Sequence, residues 1–199
     1  MKTRDLAKQA VRKQIALTAL KLFQENGYEK TTVEDISSEI GMSTRTYFRY
    51  FRSKDDVLLE PTQLFRLSFL ESFERHLRTH DLWSALNFSL NESTLGCTEL
   101  NQDLSPSSIQ ATIRSTPALL ARQLEITERL QIEATDMYLQ HASQETPLKW
   151  CTANAIVRTG FACLHAIQCK PAGDDSQSAL QALMEDLRPI LLAERQTES

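Results

Sequence analysis

The sequence has little of what a β-rich or membrane-spanning fold requires. Its 199 residues include only five glycines and six prolines, and no regular series of short alternating runs separated by turn residues. Sandwiches and barrels need frequent turns, so this scarcity favours helices. No stretch reaches the ~18 uninterrupted apolar residues of a membrane span, and the basic N-terminus lacks the apolar segment of a signal peptide. We therefore expect a soluble, cytoplasmic, all-α protein.

Recognisable catalytic and metal-binding patterns are also missing. The four cysteines, Cys97, Cys151, Cys163 and Cys169, form no C-x-x-C pair, and no histidine stands at zinc-site spacing. We interpret them as free thiols in a reducing compartment, with a thiol-sensing role kept open as an alternative. The four histidines are scattered, and the sequence has no serine-hydrolase, zinc-protease, P-loop or dinucleotide motif. The prediction is a protein that is not an enzyme and holds no metal or cofactor.

Charge is unevenly distributed along the chain. The formal net charge is −4, but residues 1–60 carry 11 Lys and Arg against 9 Asp and Glu, a balance of +2. The remaining residues carry 11 against 17, a balance of −6. This asymmetry hints at a polyanionic partner for the first 60 residues.

The first 60 residues contain a closely spaced series of helix signals. An apolar stripe runs from residue 11 to residue 24, and Gly27 supplies the left-handed position that ends a helix. A second helix follows Thr31 or Thr32 as N-cap and stops at Gly41. Ser43 then caps a third helix, and Ser53 caps a fourth. Pro61 predicts a bend, either as a kink or as the start of a new helix.

The third helix is expected to have two distinct faces. Tyr47, Phe48 and Phe51 share one face, which we predict to be core, while Arg45, Arg49 and Arg52 lie opposite. Two short helices joined by a turn with glycine, the second cationic outside, suit the major groove of DNA, which admits one helix. The alternative interpretation is that the three arginines form an ordinary solvated surface of the helix.

The rest of the chain is predicted to be helical as well. We predict further helices at about 82–96, 107–115, 117–141, 148–169 and 177–194, with Thr116 and Pro117 as the N-cap and first residue of one of them. The fold class is therefore all-α with about nine helices. Residues 1–53 are expected to form a three-helix, helix-turn-helix domain, and residues 54–199 a helical domain for effector binding and dimerisation.

The first 60 residues resemble the N-terminal region of the TetR family of transcription regulators. The positions in register with the family are Arg12, Ile15, Ala19, Leu22-Phe23, Gly27-Tyr28, Thr31-Thr32-Val33, Asp35-Ile36, Gly41-Met42-Ser43, Thr46, Phe48, Tyr50-Phe51, Ser53-Lys54 and Val57-Leu58. One departure bears on function: Phe48 stands where the family usually has a tyrosine whose hydroxyl touches a phosphate.

The resemblance implies a DNA-binding set of residues. Those implied to face bases or nearby phosphates, or to hold the DNA backbone, are Thr32, Ser43, Thr44, Arg45, Thr46, Arg49, Tyr50 and Lys54. It further implies a ligand-responsive regulator, of the repressor type, that binds palindromic operator DNA as a homodimer. A helical protein-interaction module without DNA binding is the alternative, and it would not need the basic helix.

Dimer and effector residues are also implied by the resemblance. The dimer candidates are Ala153, Ile156, Val157, Gly160, Leu164, Leu183, Leu187 and Ile190. The candidates for a small-molecule effector pocket are Trp83, Phe88, Met137, Trp150, Phe161 and His165. For both sets the competing interpretation is core packing within one chain, and His165 in particular is expected to be a core histidine.

Overall fold

The computed structural model describes residues 3–100, 106–141, 148–168 and 176–192, and it is helical in all four ranges. The all-α prediction is confirmed. The helices are α1 (Thr3–Asn26), α2 (Val33–Ile40), α3 (Thr44–Tyr47), α4 (Lys54–Leu58), α5 (Glu60–Leu77), α6 (Leu82–Leu100), α7 (Pro106–Ser115), α8 (Pro117–His141), α9 (Trp150–Gln168) and α10 (Ser176–Leu192). None of these helices combines the length and apolar content that a membrane crossing requires.

The helix ends follow the capping residues of the sequence. Gly27 and Gly41 have φ of 86° and 76°, the left-handed conformation that glycine adopts without strain. Thr32, not Thr31, is the N-cap of α2, because the Thr31 hydroxyl is buried and donates to the Gly27 carbonyl at 2.9 Å. At Pro61 the structure has the start of a new helix, since α4 ends at Leu58 and α5 begins at Glu60.

The chain divides into two compact units. The first contains residues 1–63 and 99–125, and the second contains residues 64–98 and 126–199. The boundary predicted after residue 53 separates two functions, whereas these units are defined by compactness alone. That functional boundary therefore remains a prediction.

The core of the first unit is built by its early helices. The α1 stripe buries five apolar side chains, and α2, the α3 region and α4 add others: Ile15, Ala16, Ala19, Leu20, Phe23, Ile36, Tyr47, Phe51, Val57 and Leu58. Burial of apolar surface on this scale stabilises each helix far more than its intrinsic propensity does, since α3 and α4 are too short to be stable alone. The positions of α2 and α4 are therefore set by packing on α1, and that of α3 by packing on α2.

The second unit has a larger core with one buried polar network. Phe69 packs against the rings of Phe65, Phe73 and Phe161, and the Trp83 indole donates to the Met184 carbonyl at 2.9 Å. The buried Asn154 amide donates to the Thr135 hydroxyl at 3.0 Å. Because each of these buried polar groups has a partner, the network fixes α8 against α9 without a large desolvation cost.

Candidate nucleic-acid interface

The helix α2 is closed at its N-terminus by a reciprocal pair of hydrogen bonds. The Asp35 backbone N–H donates to the Thr32 hydroxyl at 3.1 Å, and the Thr32 backbone N–H donates to the Asp35 carboxylate at 2.8 Å. The bond from the Thr32 backbone, followed by that from its hydroxyl, lowers the pKa of Asp35. Thr32 is exposed at this helix end, so its backbone and hydroxyl lie at the surface of the helix pair.

The turn from α2 into α3 is held by Ser43. Its hydroxyl accepts from the Thr46 backbone N–H at 3.1 Å and lies 2.9 Å from the Thr46 hydroxyl. Thr44, between them, is half-buried. The predicted cap at Ser43 is confirmed, and the same bond holds two of the predicted DNA-binding hydroxyls in fixed positions.

The three arginines of this region lie at the surface. Arg45, Arg49 and Arg52 are all exposed, and none of their guanidinium groups bonds to another residue in the part of the chain that the structure describes. Arginine presents five N–H donors in a planar fork that suits guanine edges and phosphates. This cationic surface therefore has its donors free for an external acceptor.

Phe48 is exposed, although the sequence pattern predicted that it would lie in the core. Its side chain is 53% exposed, whereas Tyr47 and Phe51 are buried. The core prediction for Phe48 is wrong because the rings of Tyr47 and Phe51 fill the core-facing side. The Tyr47 hydroxyl donates to the Ser53 carbonyl at 3.1 Å, and burial raises the pKa of Tyr47.

Lys54 has a structural task that the sequence did not indicate. Its ammonium donates to the carbonyls of Tyr28, Thr31 and Glu29 at 2.9, 3.4 and 3.5 Å, and lies 4.3 Å from the centre of the Tyr28 ring. Lys54 thus ties the loop after α1 to the start of α4. Its predicted phosphate contact stays a prediction, and in this structure those three carbonyls already accept from the ammonium.

Arg12 joins α1 to the segment that follows α3. Its guanidinium donates to both carboxylate oxygens of Glu60, at 3.0 and 2.6 Å, and to the Tyr50 carbonyl at 2.5 Å. It also lies 4.3 Å from the centre of the Phe51 ring. Sequence reasoning placed Arg12 only in the family pattern. Its ion pair with Glu60, 48 positions away, could not be found from periodicity.

The predicted effector residues lie in the second unit but do not share one environment. Trp83 and Phe161 are buried, and Met137 is half-buried against the same core. Phe88 and Trp150 are 45% and 44% exposed, and His165 is exposed, so its expected core position is wrong. Phe88 stacks on His76 at a ring separation of 5.1 Å.

The predicted dimer residues fall into two groups. Ala153, Val157, Gly160 and Leu164 are buried in the core of the chain itself, so their assignment is corrected to core. Ile156, Leu183 and Leu187 are half-buried at the edge of that core. Ile190 lies in α10, but its side chain is outside the described residues.

The described cysteines differ in exposure. Cys151 is exposed and Cys163 is buried, and burial raises the pKa of Cys163, which keeps it a thiol. Cys169 and the side chain of Cys97 lie outside the described residues. No group of three His, Cys, Asp or Glu in the described part of the chain is arranged to hold a metal ion.

Comparison with known proteins identifies the N-terminal segment. Residues 15–60 match the model of bacterial regulatory proteins of the tetR family. The chain is 43% identical over 63 residues to the HTH-type transcriptional regulator TcmR of Streptomyces glaucescens. That match covers 32% of this chain but only 28% of TcmR, so it concerns the N-terminal segment alone.

The whole fold is also shared with known structures. A proposed TetR-family transcriptional regulator from Syntrophomonas wolfei matches with a TM-score of 0.67 and 18% identity, over 96% of this chain and 99% of its own. A proposed transcriptional regulator from Saccharomonospora viridis, in complex with choline, matches with a TM-score of 0.50 and 18% identity, over 90% and 96% of the two chains. At these identities the likeness concerns the fold. The similarity to bacterial regulatory proteins of the tetR family therefore concerns residues 15–60, and the likeness of fold extends over most of the chain.

Proposed function

We propose that this protein is a ligand-responsive transcription regulator, of the repressor type, that binds palindromic operator DNA as a homodimer. Residues 1–53 would read the DNA, and residues 54–199 would dimerise and bind the effector. The observation that carries the proposal is the helix pair α2 and α3, with Arg45, Arg49 and Arg52 exposed and unpaired among the described residues.

The geometry of the helix pair suits the major groove. The groove is about 12 Å wide and admits one helix, whose side chains meet base edges while its neighbours touch phosphates. Thr44 and Arg45 open α3, and Thr32 lies at the N-terminus of the bracing helix α2. Phosphate contacts by Thr32 and Tyr50 and base contacts by Arg45 and Arg49 would divide positioning from specificity.

A dimer requires a surface that the chain leaves uncovered. On α9, the side opposite the corrected core residues presents Ala155, Ala162 and Ala166 as exposed side chains, with Thr159 half-buried between them. Small side chains let two helices approach closely, at the short end of the usual interaxial range. We propose this face of α9 as the dimer surface, in place of Ala153, Val157, Gly160 and Leu164.

The effector is proposed to bind in the second unit. Helix α6 carries two polar atoms that are buried without a hydrogen-bond partner, the Ser93 hydroxyl and the Asn91 side-chain carbonyl. An orphaned buried polar group has a desolvation cost that a polar ligand can offset. The choline complex of the S. viridis protein supports a small molecule as effector. Trp83, Met137 and Phe161 remain apolar candidates for the lining.

Selection of bound duplexes from a random double-stranded DNA pool tests the DNA-binding proposal. The full chain is expected to enrich one sequence made of two inverted half-sites. Arg45→Ala with Arg49→Ala should abolish the enrichment. Arg75→Ala with Arg78→Ala, which removes the same charge at the C-terminal end of α5 and just after it, should leave the enrichment unchanged. Failure of the wild-type protein to enrich any duplex contradicts the proposal and favours the protein-interaction module.

The dimer surface is tested separately by sedimentation equilibrium. The wild-type chain is expected at twice the mass of one chain, and Ala162→Arg should shift it to the monomer mass. Ala121→Arg, an exposed alanine of α8, is the matched control and should remain dimeric. A dimeric Ala162→Arg protein would place the interface elsewhere.

A further inference from the structure

Phe48 is a large apolar ring exposed on the surface that carries the free arginines. Its backbone N–H donates to the Thr44 carbonyl at 3.0 Å, which places it one helical turn after Thr44. Positions three and four apart are neighbours on a helix surface, so Phe48 borders Arg45 as well. The other large hydrophobics exposed to this degree among the described residues, Leu67, Phe88, Leu124 and Trp150, all lie outside this helix pair.

The ring of Phe48 is held from one side. It packs at 89° against Tyr47, with 5.6 Å between the ring centres, and Tyr47 is fully buried and bonded to the Ser53 carbonyl. Edge-to-face packing on an immobile ring restricts the orientations that Phe48 can adopt. The exposed part of the ring is therefore presented in a defined place and has no hydroxyl with which to bind a phosphate.

We propose that Phe48 reads the C5-methyl group of one thymine in each half-site of the operator, which makes it a specificity-determining residue. The inference rests on the proposed DNA-binding function. In the major groove thymine alone presents a methyl group, and an apolar side chain is the partner that distinguishes it. The flanking arginines bring the groove to the ring, and the contact covers apolar surface that water otherwise faces.

The expected effect is set by the size of one methyl group. Burying one such carbon is worth about a fourfold change in affinity, so loss of the methyl from both half-sites should weaken binding about 15-fold. This change is small beside the loss of an arginine contact and confined to one base position. It is thereby distinguishable from a general weakening of the complex.

The test replaces thymine by deoxyuridine in the duplex selected by the wild-type protein. Deoxyuridine lacks only the methyl group, and each thymine pair related by the two-fold axis is replaced in turn. The wild-type protein should lose about 15-fold at one position and little elsewhere, and Phe48→Ala should show no loss at that position. Phe48→Leu, which keeps an apolar side chain, should retain part of the sensitivity, and Arg49→Ala should retain it fully at lower overall affinity.

Two results overturn the proposal. Either no deoxyuridine substitution weakens the wild-type complex, or Phe48→Ala loses as much as the wild type at the sensitive position. In both cases the DNA-binding function stands, because the duplex was selected. If the wild-type protein selects no duplex, the proposed function itself fails, and the reading role of Phe48 fails with it.

Discussion

The two compact units differ in how many of their arginine side chains form ion pairs. In the second unit five arginines pair with carboxylates: Arg66 with Glu133, Arg75 with Glu92, Arg78 with Glu74, Arg158 with Glu128, and Arg188 with Asp81. In the first unit Arg12 and Arg122 are paired, with Glu60 and Asp56, but Arg45, Arg49 and Arg52 have no partner among the described residues. The unpaired arginines all lie in or next to the second helix of the helix pair.

The difference supports the proposed position of the DNA-binding surface. A paired guanidinium has already exchanged water for a carboxylate, and exposed pairs of this kind contribute little to stability. An unpaired guanidinium keeps its N–H donors available. The side-chain entropy lost when it becomes ordered is offset only when an anion binds.

The largest expected effect comes from removing the unpaired arginines. Arg45→Ala with Arg49→Ala should weaken binding to the selected duplex by about a thousandfold or more, since each good base contact contributes about 1–3 kcal/mol and a dimer loses four arginines. Fluorescence anisotropy with a labelled duplex measures it. The paired control, Arg75→Ala with Arg78→Ala, should stay within about twofold of wild type. Equal losses of affinity in the two variants would show that paired and unpaired arginines contribute alike to DNA binding, which contradicts the comparison.

The next effect concerns a paired arginine in the first unit. Arg12→Ala leaves the Glu60 carboxylate, which is 5% exposed, without its partner and should lower the free energy of unfolding by about 3 kcal/mol. Arg12→Met with Glu60→Leu removes both charges and should recover most of that loss. Urea unfolding of the three proteins measures both changes. A single variant as stable as wild type would show that the ion pair is dispensable.

Replacing Gly41 or Gly160 by alanine should change the stability of the protein in opposite directions. Gly41→Ala forces a side chain into the left-handed region and should destabilise the protein by about 1 kcal/mol. At Gly160, within α9, an added Cβ would lie 3.5 Å from Leu90 and 3.6 Å from Leu86 and Met184, ordinary contact distances. Gly160→Ala should therefore stabilise the helix by about 0.5–1 kcal/mol. Thermal melts decide both, and a destabilised Gly160→Ala protein would indicate tighter packing in the second unit.

The smallest effect is the pH dependence of the cap of α2. The hydrogen bonds from Thr32 lower the pKa of Asp35, so its contribution to stability is present above the ordinary carboxylate value of about 4 and is lost as pH falls through the lowered value. At pH 6 the wild type should melt at a higher temperature than Asp35→Asn. The difference should close in acid, once the pH has fallen below the lowered pKa of Asp35. A difference that persists unchanged into acid would remove the ionised cap from the account.

The sequence predicted the helix pair well because its signals are local. Ser43, Ser53 and Gly41 cap or stop helices through groups within a few residues, and the structure confirms all three. The ranges predicted for α8 and for the start of α6 are also confirmed, since Pro117 and the apolar stripe mark them.

Predictions that depended on tertiary contacts were less successful. Phe48 was predicted to share the core face, but the rings of Tyr47 and Phe51 fill that face and leave Phe48 exposed. The apolar stripe of α9 was correctly found, yet periodicity does not say whether a stripe faces its own chain or a partner. The contacts of Lys54 with three loop carbonyls, and of Arg12 with Glu60, join residues 23 or more positions apart, which no local pattern encodes.

The most direct test of the central claim is the salt dependence of binding to double-stranded DNA. If the unpaired arginines enter the major groove, their charges lie close to the phosphates even where their donors contact bases. The logarithm of the wild-type association constant should then fall linearly with the logarithm of salt concentration, with a slope of about −4 or steeper. Replacing Arg45, Arg49 and Arg52 together by alanine should flatten that slope by about 2 or more. A slope unchanged by the triple substitution, or no duplex binding by the wild type at low salt, would contradict it.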